Sequence, residues 1–274
     1  MKHVLCIAAL AIAASANAQV LYTQNFDSMG TAGTTAPTGW KEYSLAGTHD
    51  TFSFAGSLPS ITTTFLPNST TTAITGGTYN ATLIAATPTN QRSAQGFNFG
   101  LASSPTDRAL GTSPTGIAAS ILEYTYTNTT GASINSLAVA YDIRRFSTTA
   151  VNNSGYQGPA VGLEELPGYW FFYSLDNGAT WTNVSALNPT INGAGGTIAV
   201  PNTVGVTNVP TTVFSLASSL NAGSNILFRW VDDNAQSPSP DQLLGLDNVV
   251  ISLPTPGAVA LAGLAALAGL RRRR

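Results

Sequence analysis

The chain has 274 residues, of which 43% are hydrophobic and 9% are charged, and its formal net charge is −2. That value hides an acidic body, because the segment from Gln19 to Leu253 carries six basic and thirteen acidic residues, a balance of −7. So few cations exclude the basic surface that nucleic-acid backbones and anionic membranes attract, and we expect no nucleic-acid partner.

The first 18 residues have the layout of a secretory signal peptide. Lys2 provides the positive start, an apolar run follows, and Ala16 and Ala18 form an A-x-A-like cleavage site. We therefore predict export, with cleavage between Ala18 and Gln19. Cleavage removes Cys6, the only cysteine. The exported body then cannot form disulfides, so its core or a bound ion must stabilise it.

Between residues 19 and 253 the pattern is typical of β-strands. In ILEYTYT (121–127), apolar and aromatic side chains alternate with Glu and Thr. The same alternation marks SLAVAYDIRRF (136–146), and YWFFYSLDNGATW (169–181) predicts a hairpin that turns at DNG. Two further apolar strands are predicted in NILFRWVDD and LLGLDNVVISL, and Gly, Ser, Asn and Pro clusters lie between the strands. Short strands without intervening helices predict one domain, an antiparallel β-sandwich of jelly-roll type.

Three features follow one another at the C-terminal end. Pro254 and Pro256 flank Thr255, residues 257–270 are apolar and rich in Ala and Gly, and the chain closes on an arginine cluster. The cluster consists of Arg271, Arg272, Arg273 and Arg274. As a helix the apolar segment covers roughly 21 Å, against about 30 Å of hydrocarbon. It therefore predicts a segment that stops in the membrane briefly, with the arginines held on the cytoplasmic side.

This layout resembles the PEP-CTERM sorting signal of Gram-negative bacteria, with Thr255 standing where the family's motif has Glu. The resemblance covers residues 254–274. It implies passage through the export machinery, transient retention in the inner membrane, and cleavage near Pro254 by an exosortase-like protease. Release or attachment at the cell surface or in the extracellular matrix follows, in bacteria that make exopolysaccharide.

Five motifs follow one another along the body. They are YTQNFDSM with PTGW (from residue 22), DRALGT (107–112), YTNTTGASINSLAVAYDIRRF (126–146), FYSLDNGATWTNV (172–184) and LFRWVDDNAQSPSPDQLLGLDNVVIS (227–252). Their order resembles that of exported jelly-roll modules, which are common in PEP-CTERM proteins and are similar in outline to concanavalin-like and cleaved-adhesin sandwiches. The resemblance implies the fold and no particular biochemical role.

Catalytic candidates are few. His49 is the only histidine outside the signal peptide, no nucleophile-elbow motif accompanies it, and the His or Cys clusters of zinc sites are missing from the sequence. A glycosidase needs two carboxyl groups across a cleft. The carboxylates on or near predicted strands are Glu123, Asp142, Glu164 and Glu165. Their spacing selects no pair, and a secreted polysaccharide hydrolase that uses an Asp/Glu pair is the alternative function.

A calcium site is a further possibility. The segment WVDDNAQSPSPDQLLGLDN concentrates acidic and amide side chains within 17 residues. The candidate ligands are Asp232, Asp233, Asn234, Asp241, Asp247 and Asn248, together with Asp27 near the mature N-terminus. Calcium takes roughly six to eight oxygen ligands, and a bound ion would brace a body without disulfides. The alternative is that these residues form ordinary turns by bonding their own backbone.

Aromatic residues are candidates for ligand contact. The run from Trp170 to Tyr173 must present rings on both faces of a strand. One face is core, and Trp170 and Phe172 on the other face either stack on sugar rings or lie buried. The nearby segment SLDNGATW (174–181) matches the Asp-box pattern of sialidase-like propellers, but a single copy on a sandwich predicts only a β-hairpin.

Together these features predict a non-enzymatic, exported β-sandwich protein of the bacterial cell surface or extracellular matrix. The expected partners are the export machinery, a sorting protease and, transiently, the inner membrane. Exopolysaccharide is the candidate ligand, and calcium is the one candidate cofactor.

Overall fold

The structure is a computed structural model in which two β-sheets pack face to face. It describes residues 18–45, 77–86, 88, 94–101, 103–117, 119–147, 168–189, 198–201, 203–233 and 243–255. The predicted signal peptide up to residue 17 and the sorting segment from Pro256 to Arg274 lie outside these ranges. Within the ranges, no helix has the length and apolar character needed to cross a membrane.

Almost all regular structure in the described ranges is β-strand. In chain order the strands are β1 (Gln19–Gln24), β2 (Trp40–Leu45), β3 (Thr78–Tyr79), β4 (Ile84–Ala86), β5 (Phe97–Leu101), β6 (Ser104–Thr112), β7 (Ala119–Thr127), β8 (Ile134–Ser147), β9 (Trp170–Ser174), β10 (Thr182–Asn183), β11 (Gly205–Leu220), β12 (Asn225–Asp233) and β13 (Leu243–Leu253). Two short 3-10 helices, Asp27–Met29 and Ser185–Leu187, lie between strands.

The strands form two sheets. Sheet A has the order β11-β8-β13-β6-β5-β4, and β1 pairs with the second half of β13. Sheet B has the order β10-β9-β12-β7-β2-β3. From β6 onward successive strands alternate between the sheets, apart from the β9–β10 hairpin. The predicted β-sandwich of jelly-roll type is confirmed, with one difference: β4 and β5 pair in parallel, whereas the other pairs of named strands are antiparallel.

The space between the sheets is filled by large apolar side chains. Leu122, Tyr124 and Tyr126 of β7 all belong to this core, as their alternation predicts. Trp230 of β12 stacks on Trp40 of β2 with ring centroids 5.3 Å apart. Full burial of a large apolar side chain stabilises a fold by roughly 1.5–3 kcal/mol. The core therefore replaces the disulfides that the body cannot form.

A second, smaller cluster lies on the outer face of sheet A. Phe97 and Phe99 of β5 stack with centroids 4.7 Å apart, and Phe146 meets Phe99 edge-on. Gly111 and Gly245 pair in register beside these rings. A Cβ atom at Gly111 would lie 2.2 Å from the Phe99 ring. Glycine is required at that position because the ring occupies the place of a side chain.

Candidate functional site

The two predicted processing positions meet on one strand pair. β1 and β13 run antiparallel, and Gln19 lies directly opposite Leu253. Ala18 is exposed, and Pro254 and Thr255 continue directly from β13. The residues at which the predicted signal peptide and the predicted sorting tail join the body are therefore neighbours on adjacent strands.

Aromatic contacts hold β1 in place. The Tyr22 ring stacks on Tyr124 with centroids 4.1 Å apart, and the Tyr22 hydroxyl accepts a hydrogen bond from Trp40 Nε1 at 2.7 Å. At the end of β1, the backbone N–H of Phe26 donates to Gln24 Oε1 at 2.7 Å, and the Phe26 ring is fully buried. β1 is thus an integral part of the sandwich and contributes side chains to its core.

A shallow depression of about 300 Å³ lies at the other end of this strand pair. Its lining residues are Thr23, Gln24, Asn25, Asn248, Val249 and Val250. Asn248 has a left-handed backbone with φ of 46°, at an irregularity in β13, and its Nδ2 donates to Asp142 Oδ2 at 2.8 Å. The polar groups of the depression are a hydroxyl and uncharged amides.

The three carboxylates of the predicted calcium site whose side chains the structure describes each make a different contact. Asp27 accepts a hydrogen bond from a backbone N–H of β6 at 2.8 Å. Asp232 lies between the sheets and accepts a hydrogen bond from the Thr112 hydroxyl. Asp247 forms an ion pair with Arg144 on the outer face of sheet A. Each of these carboxylates has a protein partner of its own.

The topology separates Asp232 from Asp247. Asp232 belongs to β12 in sheet B and Asp247 belongs to β13 in sheet A. Among the described residues, no three His, Cys, Asp or Glu side chains come close enough to hold a metal ion. The side chains of Asp233, Asn234 and Asp241 lie outside the described part of the chain. The structure does not bring Asp27, Asp232 and Asp247 to one ion, and calcium binding stays a prediction.

Asp247 belongs instead to an ion cluster that joins three strands. Arg144 of β8 pairs both with Asp247 of β13 and with Asp107 of β6. Burial raises the pKa of Asp247 to about 6, and the Arg144 guanidinium opposes only part of that rise. The cluster therefore links β6, β8 and β13, the central strands of sheet A, on the outer face of that sheet.

Trp170 and Phe172 lie on the outer face of sheet B. Phe171 and Tyr173, their neighbours, point into the core, so the predicted alternation is confirmed. Trp170 is 0% exposed and Phe172 is 1% exposed. Of the two alternatives for these rings, burial is the one that the structure shows, and rings that solvent does not reach offer no surface to a sugar.

Glu123 and Asp142, the two hydrolysis candidates within the described residues, do not face each other. Glu123 lies on the outer face of sheet B, and Asp142 lies on the outer face of sheet A, since each alternates with core residues. Packed sheets are roughly 10 Å apart, and both sheets separate these groups, whereas a glycosidase pair shares one cleft. Glu164, Glu165 and His49 lie outside the described residues.

A buried charged group on sheet B escaped the sequence prediction. The Nε atom of Arg229 lies 2.7 Å from Glu123 Oε2, and the guanidinium is 4.4 Å from the Trp181 ring centroid and 5.0 Å from that of Tyr43. Tyr43 also donates its hydroxyl hydrogen bond to Glu123, at 3.3 Å. Burial and the Glu123 charge raise the pKa of Tyr43 to about 12. Only the strand register, which places Glu123 opposite Arg229, reveals this pair.

The Asp-box segment forms the predicted hairpin between β9 and β10. Asp176 accepts hydrogen bonds from the Thr180 backbone N–H at 2.8 Å, the Thr180 hydroxyl at 2.6 Å and the Ser174 hydroxyl at 2.7 Å. The Thr180 bonds, followed by that of Ser174, lower the pKa of Asp176 to about 2. Asn177 and Gly178 supply the two positive φ angles of the turn. The motif is a fold element.

No protein-family model matches this sequence, and none of the curated proteins matches it. Among solved structures, the chain is similar to the K3 cleaved adhesin domain of Lys-gingipain from Porphyromonas gingivalis W83. The similarity covers 85% of this chain and 98% of that chain, at 13% sequence identity and a TM-score of 0.35.

Proposed function

We propose that this chain is a non-enzymatic, exported β-sandwich protein that reaches the bacterial cell surface or extracellular matrix after processing at both ends. The pairing of Gln19 with Leu253 supports the proposal. All the described strands lie between these two residues, so loss of segments 1–18 and 254–274 removes none of them. A sandwich whose first and last strands pair with each other keeps its sheets after both cleavages.

The way in which the body is stabilised also suits an exported protein. Its one cysteine, Cys6, lies in the predicted signal peptide. The described fold relies on an aromatic core and on ion pairs such as Arg229 with Glu123, neither of which depends on the redox state of the compartment. The folded body therefore needs no oxidation step after export.

The test is expression of the full chain in a Gram-negative bacterium that has an exosortase-like protease. We expect mass spectrometry of the surface or secreted fraction to find Gln19 as the first residue and a C-terminus near Pro254. Replacement of Arg271–Arg274 by alanine is expected to abolish cleavage of the tail, because the cluster fixes its orientation in the membrane. Thr255→Glu, which introduces the residue of the PEP-CTERM motif, is the matched variant and is expected to keep cleavage.

Two outcomes would contradict the proposal. One is a surface protein of unaltered cells that still carries residues 254–274. The other is normal processing of the wild-type chain in cells from which the exosortase-like protease has been deleted, since sorting would then not depend on this tail.

We further propose a neutral region of exopolysaccharide as the ligand, bound at the depression between β1 and β13. The hydroxyl of Thr23 and the amide of Asn248 match the hydrogen-bonding groups of sugars, and the lining carries no charge. Thr23→Trp fills the depression and is expected to weaken binding of exopolysaccharide from the same bacterium by about tenfold or more, which is about 1.4 kcal/mol. Titration calorimetry measures this change. Thr182→Trp, on an exposed strand position of sheet B, is the control, and equal affinities of the two variants would remove the depression as the site.

A further inference from the structure

The long strand β11 forms one edge of sheet A. It pairs with β8 and stands last in the strand order of that sheet. Its 16 residues extend over roughly 50 Å at about 3.3 Å per residue. Most of its side chains are exposed, and only Val209, Phe214 and Leu220 are buried. Among the described residues no further strand pairs with the outer side of β11, where the Ala217 N–H donates to the Tyr173 hydroxyl at 2.8 Å.

This edge lacks the charged residues that usually protect an exposed strand. Exposed edges are commonly blunted by lysine, by inward-pointing charges, by proline or by bulges. The sequence from Asn177 to Phe228 contains no Asp, Glu, Lys, Arg or His. Pro210 and two register shifts do interrupt β11. They leave Gly205–Val209 and Thr212–Ser215 in regular register with β8, and each of these segments is long enough to accept a neighbouring strand.

Exposed valines accompany the free edge. Val204 is 59% exposed, Val206 is 56% exposed and Val213 is 44% exposed. In the β8 register Val206 lies opposite Arg144 and Val213 lies opposite Ala138. Both partners alternate with core residues of β8, so the valines project from the outer face of sheet A. A strand added at this edge would cover part of that apolar surface.

A second copy of the chain fits this edge by its symmetry and its charge. The body carries −7, so two copies repel each other wherever their acidic residues meet. No charged residue lies on β11, so its own side chains add no repulsion to a contact between two copies. Antiparallel pairing of β11 with β11 about a two-fold axis uses the same edge of both copies and leaves neither edge free. We propose that the protein is a dimer in which the two copies of sheet A form one continuous sheet through β11.

The first experiment is sedimentation velocity on the full chain purified from an expressing cell. We expect a concentration-dependent dimer. The double variant Val206→Lys with Val213→Lys is expected to raise the dimer dissociation constant by about tenfold or more, because like charges then face each other across the edge. Val20→Lys is the matched control, since Val20 is 55% exposed on β1, and it is expected to leave the dimer unchanged.

The second experiment identifies the paired strand. A mixture of the Lys double variant with the corresponding Val206→Glu and Val213→Glu double variant is expected to dimerise again, because opposite charges then meet across the edge. Amide hydrogen exchange of the wild-type chain is expected to slow in Gly205–Val209 as the protein concentration rises. This measurement uses no variant, so its result does not depend on whether a variant folds. A monomer at all concentrations, a dimer that survives the Lys substitutions, or concentration-independent exchange would overturn the proposal.

Discussion

Replacement of Arg229 with methionine is expected to lower the free energy of unfolding by about 3 kcal/mol. The guanidinium pairs with Glu123 at 2.7 Å, and these side chains are only 5% and 4% exposed. Without the cation, the carboxylate stays buried and loses a charged partner, and this desolvation is more destabilising than the lost contact itself. Urea-induced unfolding followed by tryptophan fluorescence measures the difference.

Lys41 provides the matched control for this prediction. Lys41 of β2 pairs in register with Glu123, but unlike Arg229 its side chain is exposed to solvent. Lys41→Met is expected to change the free energy of unfolding by at most about 0.5 kcal/mol, since an exposed cation near a carboxylate contributes little. The double variant Glu123→Leu with Arg229→Met is expected to recover most of the loss, because it leaves no buried charge. Equal effects of Arg229→Met and Lys41→Met would contradict a stabilising role for the ion pair.

The alternation of side chains along strands was predictable because it is local. Leu122 and Tyr124 enter the core, and the hairpin turns at Asp176, since two-residue periodicity and turn residues act within a few positions. The same alternation wrongly suggests that the side chains on the outer face of a sheet are exposed. Glu123 and Trp170 lie on that face and are buried, because their surroundings come from residues that are distant in sequence.

The dispersal of the acidic cluster shows a second limit of the sequence. Asp232 and Asp247 are 15 positions apart, and proximity along the chain predicts a shared ion. In a jelly roll, however, consecutive strands belong to opposite sheets, and β12 and β13 follow this rule. Asp232 and Asp247 therefore lie on different sheets although they are close in sequence. The predicted fold class already contained this information, whereas the strand register that gives each carboxylate its partner could not be inferred from one sequence.

Glu42→Gln is expected to stabilise the protein, and the gain is expected to grow with pH. Glu42 is fully buried on β2, where Oε2 accepts a hydrogen bond from Asn80 Nδ2. Within the described part of the chain, Oε1 has no hydrogen-bond partner. Burial raises the pKa of Glu42 from 4.5 to about 8, although Asn80 and the backbone N–H of Gly96 oppose the rise. Glutamine has the shape of the protonated carboxyl group and no charge to desolvate.

The direction follows from proton binding in the two states. Between about pH 4.5 and about pH 8 the folded state keeps the Glu42 proton and the unfolded state releases it, so the wild type loses about 1.4 kcal/mol of stability per pH unit relative to the variant. Below this window the carboxyl group is protonated in both states, and above it the carboxyl group is ionised in both, so the difference from the variant stays constant outside the window. Thermal unfolding of the wild type and of Glu42→Gln from about pH 4 to about pH 9 is expected to give midpoints that nearly coincide at the acid end and diverge through neutrality. Midpoint curves that run parallel over the whole range would show that Glu42 ionises in the fold as it does in the unfolded chain.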